Sequence, residues 1–127
     1  MSDANFTQTN PHGTGRYIAP LFKEYVLDER GAYGTVGIRV PNTMQELRDY
    51  VFACIVFVVC ERAGGVLRSN EIRRDIAQMI DDRNALGEKK YGEGLRANNG
   101  RDVLLDVLQE LLDAGMYATQ AEEERRT

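Results

Sequence analysis

The chain has little of what most catalytic and secreted small proteins rely on. It contains one histidine, His12, in a polar, turn-rich opening segment (Asn10-Pro11-His12-Gly13). A general base must be held in a fixed position, so an exposed loop residue is the expectation there. It contains two cysteines, Cys54 and Cys60, six residues apart with no C-x-x-C or Cys/His spacing. Metal-thiolate chemistry is thereby excluded, and an intrahelical disulfide is too, because the two side chains point in different directions. Buried reduced thiols of a cytosolic protein are expected. The longest apolar run, Val51 to Cys60, is ten residues, against about 20 needed to span a bilayer. The opening MSDANFTQTN lacks a basic and apolar leader pattern, so the expectation is a cytoplasmic protein without a membrane partner. There is no excess of basic charge: the formal net charge is -4, which argues against direct binding to nucleic-acid backbone. No repeat or low-complexity tract is present.

What the chain does have is helical periodicity. Its 127 residues suit one core, and the reading is a mainly α protein: a compact bundle of three main helices behind a short irregular or β-hairpin N-terminal segment. Residues 1–16 read as a flexible arm and 17–127 as a single helical domain. Lys23–Leu27 and Thr35–Val40 alternate enough for a hairpin; a short helix at Pro20–Leu27 is the other reading. Thr43-Met44-Gln45-Glu46 is a capping box opening a helix over 43–62, apolar on every side at its centre and stopped by Ala63-Gly64-Gly65. Phe52, Ile55, Val56 and Val59 are its expected core or subunit-interface residues. A second helix, capped by Ser69 or Asn70, is expected over 70–86, ending at Gly87, with Ile72, Ile76, Met79 and Ile80 apolar. A third is expected over 101–123, its apolar face made of Leu104, Val107, Leu108, Leu111 and Leu112.

The chemistry lies on the opposite faces. Asp102, Asp106, Glu110, Asp113 and Tyr117 fall within an arc of roughly 80° at helical spacing. Like charges one turn apart repel, and either solvent or a cation relieves them. Glu71, Asp75, Gln78 and Asp82 repeat the feature on the preceding helix, within about 60°. If these two helices pack antiparallel, the stripes can share one cleft and hold Mg²⁺, a hard cation bound by one or two carboxylates plus substrate phosphates. Arg83, Lys89, Lys90 and Arg101 bracket Gly92, Gly94 and Gly100. Cations beside flexible backbone suit a polyphosphate, although a solvated loop has the same composition.

The string Arg83-x-x-x-Gly87-x-x-Lys90-Tyr91-Gly92-x-x-Leu95, followed by Asn99-Gly100-Arg101-Asp102-x-x-x-Asp106-x-x-x-Glu110-x-x-Asp113-x-x-x-Tyr117, resembles small phage and bacterial relatives of the MazG-like all-α nucleoside triphosphate pyrophosphohydrolases. It covers the C-terminal third to two-fifths of the chain, and residues 1–42 match nothing in that family. Glu110-Leu111-Leu112-Asp113 looks like the family's E-x-x-D metal pair. The resemblance implies Mg²⁺-dependent cleavage of a nucleoside triphosphate to monophosphate and pyrophosphate, in a dimer or higher homo-oligomer. Glu110 and Asp113 are then the catalytic pair. Asp106, Glu110, Asp113, Asp75 and Asp82 are the metal ligands, Arg83, Lys90 and Arg101 meet phosphates, and Tyr91 and Tyr117 lie beside the substrate. The family's second pair, E-x-x-E on the preceding helix, is missing; Glu71-x-x-x-Asp75 and Asp82 stand in its place. The other reading is a non-catalytic phage module, working in the host cytoplasm, that binds a nucleotide or a protein partner.

Overall fold

The computed structural model describes residues 13–28, 30, 39–65 and 69–126. It is mainly helical, with α1 at Ile18–Leu27, α2 at Met44–Arg62, α3 at Ser69–Tyr91 and α4 at Val103–Arg125; no strand occurs among the described residues. His12 and most of the expected second strand, Thr35 to Ile38, lie outside them. The chain divides into two compact units, one holding α2 and α3, the other α1 and α4.

Among the described residues four helices therefore replace the expected three. Lys23–Leu27 is the second half of α1 rather than a strand. Pro20 sits in the first turn, where its missing N–H costs nothing, because the first four N–H groups of a helix have no internal acceptor. Helical spacing also lets Phe22 and Tyr25 stack on one side, ring centroids 6.4 Å apart. The alternation that suggested a strand is short, and the packing partner on α4 overrides it.

In the first unit, Thr43 caps α2 by accepting from the Glu46 N–H at 3.0 Å. The Glu46 carboxylate reaches back to the Asn42 N–H at 3.2 Å, one residue further than a standard capping box. Gly64 and Gly65, both at positive φ, end the helix as expected. The Gly65 N–H closes onto the Cys60 carbonyl at 2.7 Å. α3 then packs on α2 around Val59, Ile72 and Ile76, with Val56, Cys60 and Met79 partly covered. Ile80, expected on this face, is exposed. Phe52 keeps 37% of its surface exposed; its ring is covered on one side by the Arg73 guanidinium, 5.7 Å from the centroid.

The expected stop at Gly87 does not occur. α3 runs through it to Tyr91 and stops at Gly92, which has φ +87° and whose N–H bonds to the Glu88 carbonyl at 2.8 Å. A glycine inside a helix costs only about 1 kcal/mol. A stop requires the left-handed conformation that Gly92 adopts.

In the second unit, Asp102 caps α4, its carboxylate accepting from the Leu105 N–H at 3.0 Å. Arg16 forks onto Glu123 with contacts of 2.8 and 2.9 Å, and the Phe22 ring lies over Gly115. Moving along α1 thus means moving back along α4, so the two helices are antiparallel. At 1.5 Å per residue, α1 is roughly 15 Å long and α4 roughly 34 Å. The short helix covers only the C-terminal part of α4's apolar face. Leu104, Leu108, Leu111 and Leu112, expected in the core, remain exposed for that reason.

Gly115 is the contact that permits this pairing. A β-carbon there would overlap the Phe22 ring. Gly115→Ala is expected to destabilise the α1–α4 pair by about 1–3 kcal/mol, the usual range for overpacking. Loss of protection of the α1 amides in hydrogen exchange is the measurement; unchanged protection would show that the ring moves aside freely.

Candidate metal and phosphate site

The acidic stripe on α4 resolves into two kinds of carboxylate. The upper two serve the helix itself. Asp102 is the N-cap, and Asp106 is held by Arg101, whose Nη2 and Nε donate to its two oxygens at 2.7 and 2.9 Å. Arg101 is in turn positioned by its own backbone N–H, which donates to Asn99 Oδ1 at 3.1 Å. Gly100, at φ +83°, lets the chain turn between the two. Arg101 and Asp106, expected on a phosphate and a metal respectively, are brought together with each other.

The lower two carboxylates differ. Glu110 and Asp113 are exposed on one face of α4, one turn apart, and neither has a hydrogen-bond or ion-pair partner among the described residues. Tyr117 is exposed on the same face, a turn further on. This E-x-x-D pair presents anionic oxygens on a regular, rigid backbone.

The stripe on α3 belongs to the other unit. Its Asp82 accepts from Gln78 Nε2 at 2.9 Å, an i,i+4 pair along the helix. Asp75 is half-buried. Of the residues expected on phosphates, Arg83 lies within α3 and Lys90 in its last turn, where a cation suits the helix's negative end. Lys90 Nζ sits 5.2 Å from the Tyr91 ring centroid. Gly94 owes its size to packing: a β-carbon there would lie 2.6 Å from Asn84 Oδ1, and Asn84 is itself turned to Glu88 by a 2.7 Å hydrogen bond. Among the described residues no three His, Cys, Asp or Glu side chains converge to hold a metal ion. Nor is any helix among them long and apolar enough to cross a membrane.

The hydrogen bonds from Arg101 hold the Asp106 carboxyl below the ordinary carboxylate value, against an opposing effect of burial and with added help from the guanidinium charge. A depressed folded-state value stabilises the fold above the unfolded carboxyl's pKa. That contribution disappears as pH falls through the folded value. In a carboxyl-carbon NMR titration Asp106 is expected to have a midpoint below the ordinary carboxylate range, returning to that range in Arg101→Ala. Identical midpoints in the two proteins would rule out the pair in solution.

One feature has no counterpart in the sequence reading: a concavity of about 500 Å³ between α1 and α4, floored by Phe22, Gly115 and Ala118 and rimmed by the Arg16–Glu123 and Arg126–Glu122 pairs. By helical position it lies on the side of α4 opposite Glu110 and Asp113. The continuation of the leucine seam through small residues at 115 and 118 is its only trace in the sequence. Comparisons of the chain with family models, with curated proteins and with solved structures return no match.

Proposed function

We propose that the protein binds a Mg²⁺–nucleoside triphosphate through Glu110 and Asp113 and cleaves it to the monophosphate and pyrophosphate, in the manner of the MazG-like pyrophosphohydrolases that its sequence resembles. The observation that carries this reading is the division of labour along α4. Asp102 and Asp106 have local partners, whereas the E-x-x-D pair stands exposed on one face without a partner among the described residues. Two carboxylates are a sufficient protein contribution to Mg²⁺ when phosphate oxygens and water complete its shell. When bound, the ion polarises a phosphoryl oxygen and lowers the pKa of a water. The chain's own residues do the positioning: Glu110 and Asp113 offer oxygens one helical turn apart, and Tyr117 offers a ring and a hydroxyl beside them. Arg83, Lys90, Asp75 and Asp82, which the resemblance adds as phosphate cations and further carboxylates, belong to the α2–α3 unit. In this reading the protein works in the cytoplasm as a homo-oligomer.

A second reading, a helical module that binds a nucleotide or protein partner without turnover, is favoured by the missing E-x-x-E pair. The two separate in one experiment. The native chain is incubated with a panel of nucleoside triphosphates and Mg²⁺, and both pyrophosphate release and the thermal midpoint are followed. Release of pyrophosphate supports the enzyme; a raised midpoint without release supports the binding module; neither effect with any triphosphate rejects both nucleotide readings.

A further inference from the structure

Asn99 is the asparagine of this chain that precedes a glycine; no other does. It stands in the bend that enters α4, and Asn99, Gly100 and Arg101 all belong to the α1–α4 unit. The Asn99 side chain folds forward along its own backbone, where Oδ1 accepts from the Arg101 N–H at 3.1 Å. This turn carries the side-chain carbonyl carbon, Cγ, alongside the peptide nitrogen of Gly100. The same hydrogen bond draws electron density from Cγ and is in place to stabilise negative charge on Oδ1. Gly100 brings no β-carbon against the carbonyl, and its φ of +83° holds its peptide outside the helical ladder. Among the described residues its N–H donates no hydrogen bond. Asn84 is the contrast. It lies within α3, its Nδ2 donates to Glu88 at 2.7 Å, and the helix around it is fixed by its own hydrogen bonds.

We propose that Asn99 is a self-modification site, at which the Gly100 nitrogen attacks the side-chain amide and converts it to aspartate and isoaspartate. The Gly100 nitrogen gives its proton to hydroxide and bonds to Cγ, while negative charge gathers on Oδ1. The Cγ–Nδ2 bond then breaks, and the nitrogen leaves as ammonia with a proton taken from water. A five-membered succinimide remains. Water adds to either ring carbonyl carbon, and the bond from that carbon to the Gly100 nitrogen breaks. Opening at Cγ gives aspartate. Opening at the main-chain carbon gives isoaspartate, whose backbone runs through Cβ and Cγ. Water enters and ammonia leaves; no other reactant is consumed. Either product adds a carboxylate ahead of α4, where the positive end of the helix favours it. In isoaspartate the carbonyl that received the Arg101 N–H has become backbone, so the bend that aims Arg101 at Asp106 is rebuilt. The inference goes beyond the nucleotide reading and does not depend on it.

The test uses the full chain, incubated in warm, mildly alkaline buffer without nucleotide and then digested with trypsin. The peptide Ala97–Arg101 is followed by chromatography and mass spectrometry. Two heavier products of equal mass are expected, of which one accepts a methyl group from an isoaspartyl methyltransferase. Fragment masses are expected to place the change at Asn99, with Asn98 and Asn84 keeping their amides. The folded chain is expected to convert at least as fast as the same chain in guanidinium, because the turn already sets Cγ beside the nitrogen. Gly100→Ala is expected to slow conversion roughly tenfold or more, and Asn99→Ser to abolish both products. A folded chain that converts more slowly than the unfolded one overturns the proposal. So does conversion of Asn98 or Asn84 at the rate of Asn99.

Discussion

Ile76→Ala is expected to lower the stability of the α2–α3 unit by about 2–5 kcal/mol, the range for removing a buried branched side chain. Among the described residues the unit's buried apolar residues are Val59, Ile72 and Ile76, and Ile76 is the most deeply covered at 4% exposure. It packs in one cluster with Val59 of α2 and Ile72 of α3, so truncation leaves a cavity in that contact. With so small a core, the loss is a large share of a domain stability that is usually about 5–15 kcal/mol. Ile80→Ala, one turn further along α3 at an exposed position, is expected to change stability by less than about 0.5 kcal/mol. Denaturant titration of the two variants checks the pair; equal losses would mean that α3 is rotated from the orientation described above.

Glu110→Gln is expected to reduce pyrophosphate release at least a hundredfold, because one of the two anionic oxygen donors disappears while the helix keeps a near-isosteric residue of good propensity. Asp113→Asn should do the same. Asp106→Asn provides the contrast: its carboxylate is already occupied by Arg101, so a drop of less than about tenfold is expected. The pattern separates a metal pair from a solvated acidic face. On a solvated face Glu110→Gln would relieve self-repulsion and raise stability slightly, and Mg²⁺ with nucleotide would leave the thermal midpoint unchanged. If instead Asp106→Asn proves as damaging as Glu110→Gln, the Arg101 pairing opens in the working complex. The α4 ligands would then be Asp106, Glu110 and Asp113, the set that the resemblance implies.

What the sequence determined by itself was local. Thr43 and Glu46 mark the start of α2, and Gly64 and Gly65 its end, because caps and left-handed turns are decided by residues within a few positions of one another. The acidic face of α4 and the apolar face opposite it are equally legible, being properties of a 3.6-residue period. Tertiary structure decided the rest. Whether Gly87 or Gly92 ends α3 depends on which glycine adopts a positive φ, and both carry the same sequence signal. Lys23–Leu27 continues α1 as a helix, and Phe22 beside it packs over Gly115, some ninety residues away. That Asp106 is paired while Glu110 and Asp113 stand open depends on where the Arg101 side chain turns after the Asn99-Gly100 bend. Periodicity shows that a helix has an apolar face; the length and position of the partner settle how much of that face is covered. A ten-residue α1 against a 23-residue α4 leaves leucines exposed that their spacing alone would place in a core.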